Sequence, residues 1–155
     1  MSKSKEKLLK ELLEENLKLI NHALISFQDS LDKCEKIGTK ESYSTEELEK
    51  FEVLTARFSR ITDIYTQKLL KNLFSILRED AVTFIDKANL AEKLGLVESS
   101  EQLKAIRDLR NEIAHDYCLF NLNEIFASVL EYSPKLLTYL YGLEKYLKLN
   151  KLISS

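Results

Sequence analysis

KSKEKLLKELLEENLKLINHALISFQDSLDKCEK, residues 3–36, carries the pattern that governs the rest of the chain. Leu9, Leu12, Leu13, Leu17, Ile20, Leu24, Phe27 and Leu31 recur every three or four positions, and lysines and glutamates fill the gaps. That period lays an apolar stripe along one side of an α-helix and charge along the other, so it predicts an amphipathic helix from Lys3 to Lys36. Gly38 ends it, and residues 38–44 read as a polar loop.

The same period continues downstream. Thr45, followed by Glu46 and Glu47, reads as an N-cap with acidic groups at the positive end of the helix dipole. Leu48, Phe51, Leu54, Phe58, Ile61, Tyr65, Leu69, Leu73 and Ile76 then carry a second long helix to Leu77. Asp80 is expected to open a third through Phe84, Ile85, Ala88 and Leu94, with Gly95 as its C-terminal glycine. Ser99, Ser100 and Glu101 cap a fourth, with Leu103, Ile106, Leu109 and Ile113 on its apolar side. A last helix spans Asn123 to Leu149, and Pro134 is expected to kink or divide it near Ser133.

The expectation is one all-α domain over residues 1–155, an up-down bundle of four to five helices with the two long ones antiparallel. The long stripes are wide enough for a helix-mediated dimer, and a monomeric bundle fits the pattern equally well. Composition agrees with the class. With 155 residues, 45% hydrophobic and 31% charged, the chain can build one real core. One proline and three glycines are too few for the turns of a sandwich or barrel, and they argue against a Rossmann-type or phosphate-loop enzyme.

Lys3, Lys5, Lys7 and Lys10 flank no apolar segment of signal length, and no run reaches the ~18 apolar residues of a membrane span. A cytoplasmic protein without a membrane partner is expected. Cys34 and Cys118 are far apart and lack metal spacing, so both read as small buried thiols. The net charge of -2 does not advertise a nucleic-acid binder. That balance bears on nonspecific duplex binding rather than on what a compact cleft can do to a strand.

Two histidines and five arginines occur in the whole chain, and Arg107, Arg110 and His115 fall together in IRDLRNEIAHDY, residues 106–117. Turning ~100° per residue from Arg110, Tyr117 falls at about -20°, Ala114 at about 40°, Asn111 at about 100° and His115 at about 140°. The stripe of Leu103, Ile106, Leu109 and Ile113 spans about -100° to 20° on that wheel. Arg110 and Tyr117 therefore border the buried side, Asn111 and His115 form an i, i+4 pair beside them, and Asp108 and Glu112 point to solvent.

A guanidinium offers forked donors to phosphate, an imidazole can take or give a proton, and an amide can orient either. No carboxylate shares the arc, so neither a metal nor another cofactor is expected there. Each residue also has a plain reading: a capping histidine, a snorkelling arginine, a tyrosine closing the helix end.

Arg110-Asn111-Glu112-Ile113-Ala114-His115-Asp116-Tyr117 resembles the Arg-x4-His-x-Tyr motif of HEPN domains, in particular HepT-type toxins and the related nucleotidyltransferase substrate-binding proteins. The polar residue after the arginine and the Ala-His-x-Tyr ending match, as does the motif's place late in the fourth helix. The resemblance implies the toxin of a type II toxin-antitoxin system, a metal-independent endoribonuclease whose motif helices face each other across a homodimer cleft. His115 would assist attack of the ribose 2′-hydroxyl on the adjacent phosphate, Arg110 would stabilise the developing charge, and Asn111 would hold the geometry.

The partner it implies, besides RNA and a second copy, is a minimal nucleotidyltransferase antitoxin of the MntA type. That enzyme would attach AMP to Tyr117 and block the cleft with bulk and negative charge. Two further readings stand beside this one: a non-catalytic nucleotide- or substrate-binding subunit of a nucleotidyltransferase, and a helical interaction module. Arg57, Arg60 and Asp63 share one side of the second helix and could line a cleft, although a solvated face is their ordinary role. Tyr132, Tyr139, Tyr141 and Tyr146 crowd the last helix at a spacing that suits a core or a dimer face better than base stacking.

Overall fold

The computed structural model describes residues 2–115 and 121–154, which form five helical rods and, among the described residues, no strand. Helix α1 (Lys3–Ile37) begins where the Ser2 hydroxyl accepts the Lys5 amide and ends at Gly38, whose φ of 70° suits a residue without a Cβ. Helix α2 (Thr45–Asp63) starts one residue earlier than its acidic residues suggested. Its cap is Ser44, not Thr45: the Ser44 hydroxyl accepts the Glu47 amide at 3.2 Å, and the Glu47 carboxylate accepts the Ser44 amide at 2.9 Å.

The second rod runs on through a π-helical segment, Ile64–Leu70, into α3 (Lys71–Ile76). Helix α4 (Phe84–Lys93) does not open at Asp80. The reciprocal bonds of a capping box fall between Thr83 and Asp86, and they set the boundary three residues later. It closes on Gly95, with the Gly95 amide donating to Glu92 and the Leu96 amide to Ala91.

Helix α5 (Ser100–Ala114) is capped by Ser99, as expected. Helix α6 (Leu122–Leu149) is one element with Pro134 inside it. Pro134 removes the donor that would meet Leu130 and does not divide the helix. Nearby, the Ser133 hydroxyl donates to the Val129 carbonyl and Thr138 to that of Pro134.

Contacts far apart in sequence fix the directions. Arg57 of α2 donates to the Ser26 carbonyl at 2.7 Å and also to the Ser30 hydroxyl, both on α1. Asn72 of α3 meets Asn16 and the Leu9 carbonyl near the start of α1. The two long rods are therefore antiparallel. Phe51 stacks on Phe126 at 4.5 Å with Tyr43 edge-on to both, and Tyr65 lies 6.1 Å from Tyr139, so α6 runs alongside α2 in the same direction.

Phe27, Phe51, Phe58 and Phe126 are buried to 1% exposure or less, each worth roughly 1.5–3 kcal/mol relative to exposure. The α1 stripe closes on this core except at Leu12, which is 45% exposed. No helix among the described residues is long and apolar enough to cross a membrane.

Candidate functional site

The centre of the site is a pair that no single helix contains. Asp63 is the last residue of α2, where the backbone changes to the π-helical segment, and Arg110 lies near the end of α5. The Arg110 Nε donates to Asp63 Oδ1 at 2.7 Å and Nη2 to Oδ2 at 2.9 Å, a bidentate fork between half-buried side chains. The hydrogen bond to Asp63 holds the guanidinium's pKa above its ordinary value, against the opposing effect of burial. The pair uses Nε and Nη2, which fixes the plane of the guanidinium and leaves its Nη1 side outside the fork.

Arg110 thus borders the core as the periodicity implied, since Leu109 and Ile106 are buried next to it. The expectation that no carboxylate would share this arc holds for α5 alone; Asp63 supplies one from α2. Asn111 and His115 are exposed, and Asp108 is too, whereas Glu112 is half-buried rather than solvated. The helix stops at Ala114. His115 is its C-cap in an extended conformation, φ -95° and ψ 152°, with its amide donating to the Glu112 carbonyl at 3.2 Å. The helical wheel drawn through to Tyr117 therefore ends one residue short of His115. Tyr117 and Cys118 lie outside the described residues.

The neighbouring charges separate on inspection. Arg107 bonds to Asp108 and stacks over the Phe84 ring with its guanidinium carbon 4.2 Å from the centroid, so it braces α5 against α4. Arg57, Arg60 and Asp63 do not line one cleft. Arg57 ties α2 to α1, Asp63 turns to Arg110, and only Arg60 is an exposed charge.

Of the four tyrosines on α6, Tyr139 is buried, Tyr132 and Tyr146 pack against the core, and Tyr141 is exposed. Cys34 is buried, and desolvation pushes its thiol up to about 11. Sequence reasoning grouped Asp63 with the arginines of its own helix and so missed its partner, 47 positions away.

No family model matches the chain, and no curated protein or solved structure matches it.

Proposed function

We propose that the protein is a HepT-like ribonuclease toxin that cleaves RNA without a metal, in a cleft completed by a second copy of the chain. Supporting this reading is the bidentate Asp63–Arg110 fork, which presents an oriented cation at the end of α5 where Asn111 and His115 are exposed. An arginine whose plane is already fixed loses little side-chain freedom on meeting a phosphate. In the proposed reaction His115 removes the 2′-hydroxyl proton, the 2′-oxygen attacks the adjacent phosphorus, and the 5′-oxygen of the next nucleotide leaves with a proton. Each subunit has one such histidine, and a two-fold axis would supply the second, so one acts as base and the other as acid. Arg110 stabilises charge on the phosphate, Asn111 positions it, and AMP on Tyr117 switches the site off.

The Asp63 carboxylate also offsets the charge of Arg110, and that observation favours the second reading, a nucleotide-binding subunit without catalysis. Expressing the chain, His115→Ala and Arg110→Ala, and assaying toxicity and RNA cleavage in EDTA, separates the two. The nuclease reading expects both variants to be harmless and inactive; equal behaviour of all three chains rejects it.

A further inference from the structure

Leu12, 45% exposed, opens away from the core, and Leu8, one turn before it, is 64% exposed. Leu19, two turns later, is half-buried. At about 100° per residue, Leu8 and Leu19 fall about 40° and 20° from Leu12, on the side away from Leu9 and Asn16. The three form an apolar ridge along the outer face of the first half of α1.

Charge of opposite sign flanks the ridge on its two edges. Toward the second rod, a groove of about 330 Å³ lies between Leu12 and the exposed Lys68 and Lys71. On the far edge the same rotation puts Glu15 about 60° and Glu11 about 100° from Leu12, and both are exposed. Asn72 bonds to Asn16 and to the Leu9 carbonyl, so the two lysines lie level with the stretch of α1 that holds the two glutamates. None of the four charges has an ion-pair partner among the described residues, whereas Lys10 on the same helix pairs with Glu6. Glu11 and Glu15 are like charges four apart, and Lys68 and Lys71 like charges three apart, so each edge repels itself.

We propose that this ridge is a self-association face, on which a second copy of the chain packs its own α1 in parallel. A patch with a cationic edge, an apolar centre and an anionic edge is complementary to itself under one operation. A two-fold axis parallel to α1 sets Lys71 and Lys68 against the partner's Glu11 and the partner's Glu15, and the reverse. A two-fold across the helix would run the copies antiparallel and bring lysines to lysines. Leu8, Leu12 and Leu19 then meet their own counterparts along the seam, as in a short coiled coil. Arg57 leaves α2 toward α1 while Asp63 leaves it toward α5, so this face lies on the other side of the second rod from the Asp63–Arg110 fork. The contact is separate from the one that the proposed cleft requires, and it does not depend on cleavage of RNA.

The test is sedimentation of the full chain across concentration. A seam of a few turns is small, so a Kd of about 10–100 µM is expected. Lys68→Glu with Lys71→Glu makes both edges acidic, and Glu11→Lys with Glu15→Lys makes both basic; each pair should weaken association at least tenfold. An equimolar mixture of these two variants should associate again, and so should one chain carrying all four changes, because opposite edges meet in both. If α5 also pairs chains at the cleft, the charge variants take four chains to two instead of two to one. Leu8→Cys and Leu12→Cys, each in a Cys118→Ser background, should crosslink to their own copies on mild oxidation, whereas an antiparallel contact allows this at one position at most. The four charged side chains are exposed, so circular dichroism should show the parent's helical content in every charge variant. A chain still monomeric at about 500 µM, association left unchanged by the charge variants, a mixture that fails to recover it, or no crosslink at either position would each overturn the proposal.

Discussion

The guanidinium of Arg110 is clamped by both carboxylate oxygens of Asp63, across two helices and 47 positions of sequence. The carboxylate touches no substrate in the proposed mechanism; it acts through the arginine. Arg110→Ala should lower kcat for RNA cleavage about 10²–10³-fold, the usual cost of losing one preorganised charge-stabilising donor. Asp63→Asn retains an acceptor but not the fork, and should cost about tenfold. Adding Asp63→Asn to Arg110→Ala should change nothing more, because residues acting as a unit are non-additive. Multiplying losses in the double variant would give Asp63 a role of its own. Because both side chains are about one-third exposed, the pair should stabilise the fold by only about 1 kcal/mol.

That pair also marks the limit of what the residues reveal in order. Caps and stripes are local, so Ser99, Gly38 and Gly95 were legible, and the errors at Thr45 and Asp80 came from reading acidic residues without their reciprocal partner three positions away. A π-helical segment shifts the register by a fraction of a turn, too little for the spacing of Tyr65, Leu69 and Leu73 to betray it. Arg110, Asn111 and His115 could be singled out because they are neighbours on one helix. Asp63 could not be matched to them, because only packing decides which helices meet. At Pro134 the missing donor argued for a break, while the buried side chains on both sides, Val129 and Leu136 among them, hold the helix as one.

The second prediction concerns the amides between α1 and α3. Asn16 donates to Asn72 at 3.2 Å, and Asn72 donates to the Leu9 carbonyl at 2.9 Å, with both residues at least nine-tenths buried. Asn72→Ala removes both bonds and strands the Asn16 amide. Urea unfolding should report a loss of about 2–4 kcal/mol, from the unpaired groups together with the cavity. Asn72→Asp keeps the shape but sets a buried carboxylate oxygen against the Leu9 carbonyl, and should cost at least as much as Asn72→Ala. A change below 0.5 kcal/mol in Asn72→Ala, on the order of a surface substitution, would show that water replaces these bonds at no cost.

The third prediction addresses the proposed switch. With ATP, magnesium and a cognate nucleotidyltransferase, the intact chain should gain the mass of AMP and lose RNA cleavage together. Tyr117→Phe should stay unmodified and active in the same mixture, because only the phenolic oxygen can accept the group. Modification should also weaken RNA binding more at low salt than at high, since the added negative charge acts through a field that salt screens. Persistence of the mass gain in Tyr117→Phe would move the modification to another residue.

The fourth prediction is alkaline. Burial raises the Cys34 thiol from an ordinary 9.0 to about 11, because the thiolate cannot be solvated inside α1's packed face. A folded-state value above the unfolded one means that the native state holds its proton longer. The associated stability is fully present below pH 9 and is lost as the pH climbs from 9 toward 11. Urea midpoints in a Cys118→Ser background should therefore be level below pH 9 and fall above it, by about 2 kcal/mol at most over that window. Cys34→Ala should start lower, from the cavity it leaves, and show a shallower decline. Native Cys34 should also resist iodoacetamide at pH 8 until the chain is unfolded; rapid labelling of the folded chain would mean that α1 opens locally, and the alkaline slope would then vanish with it.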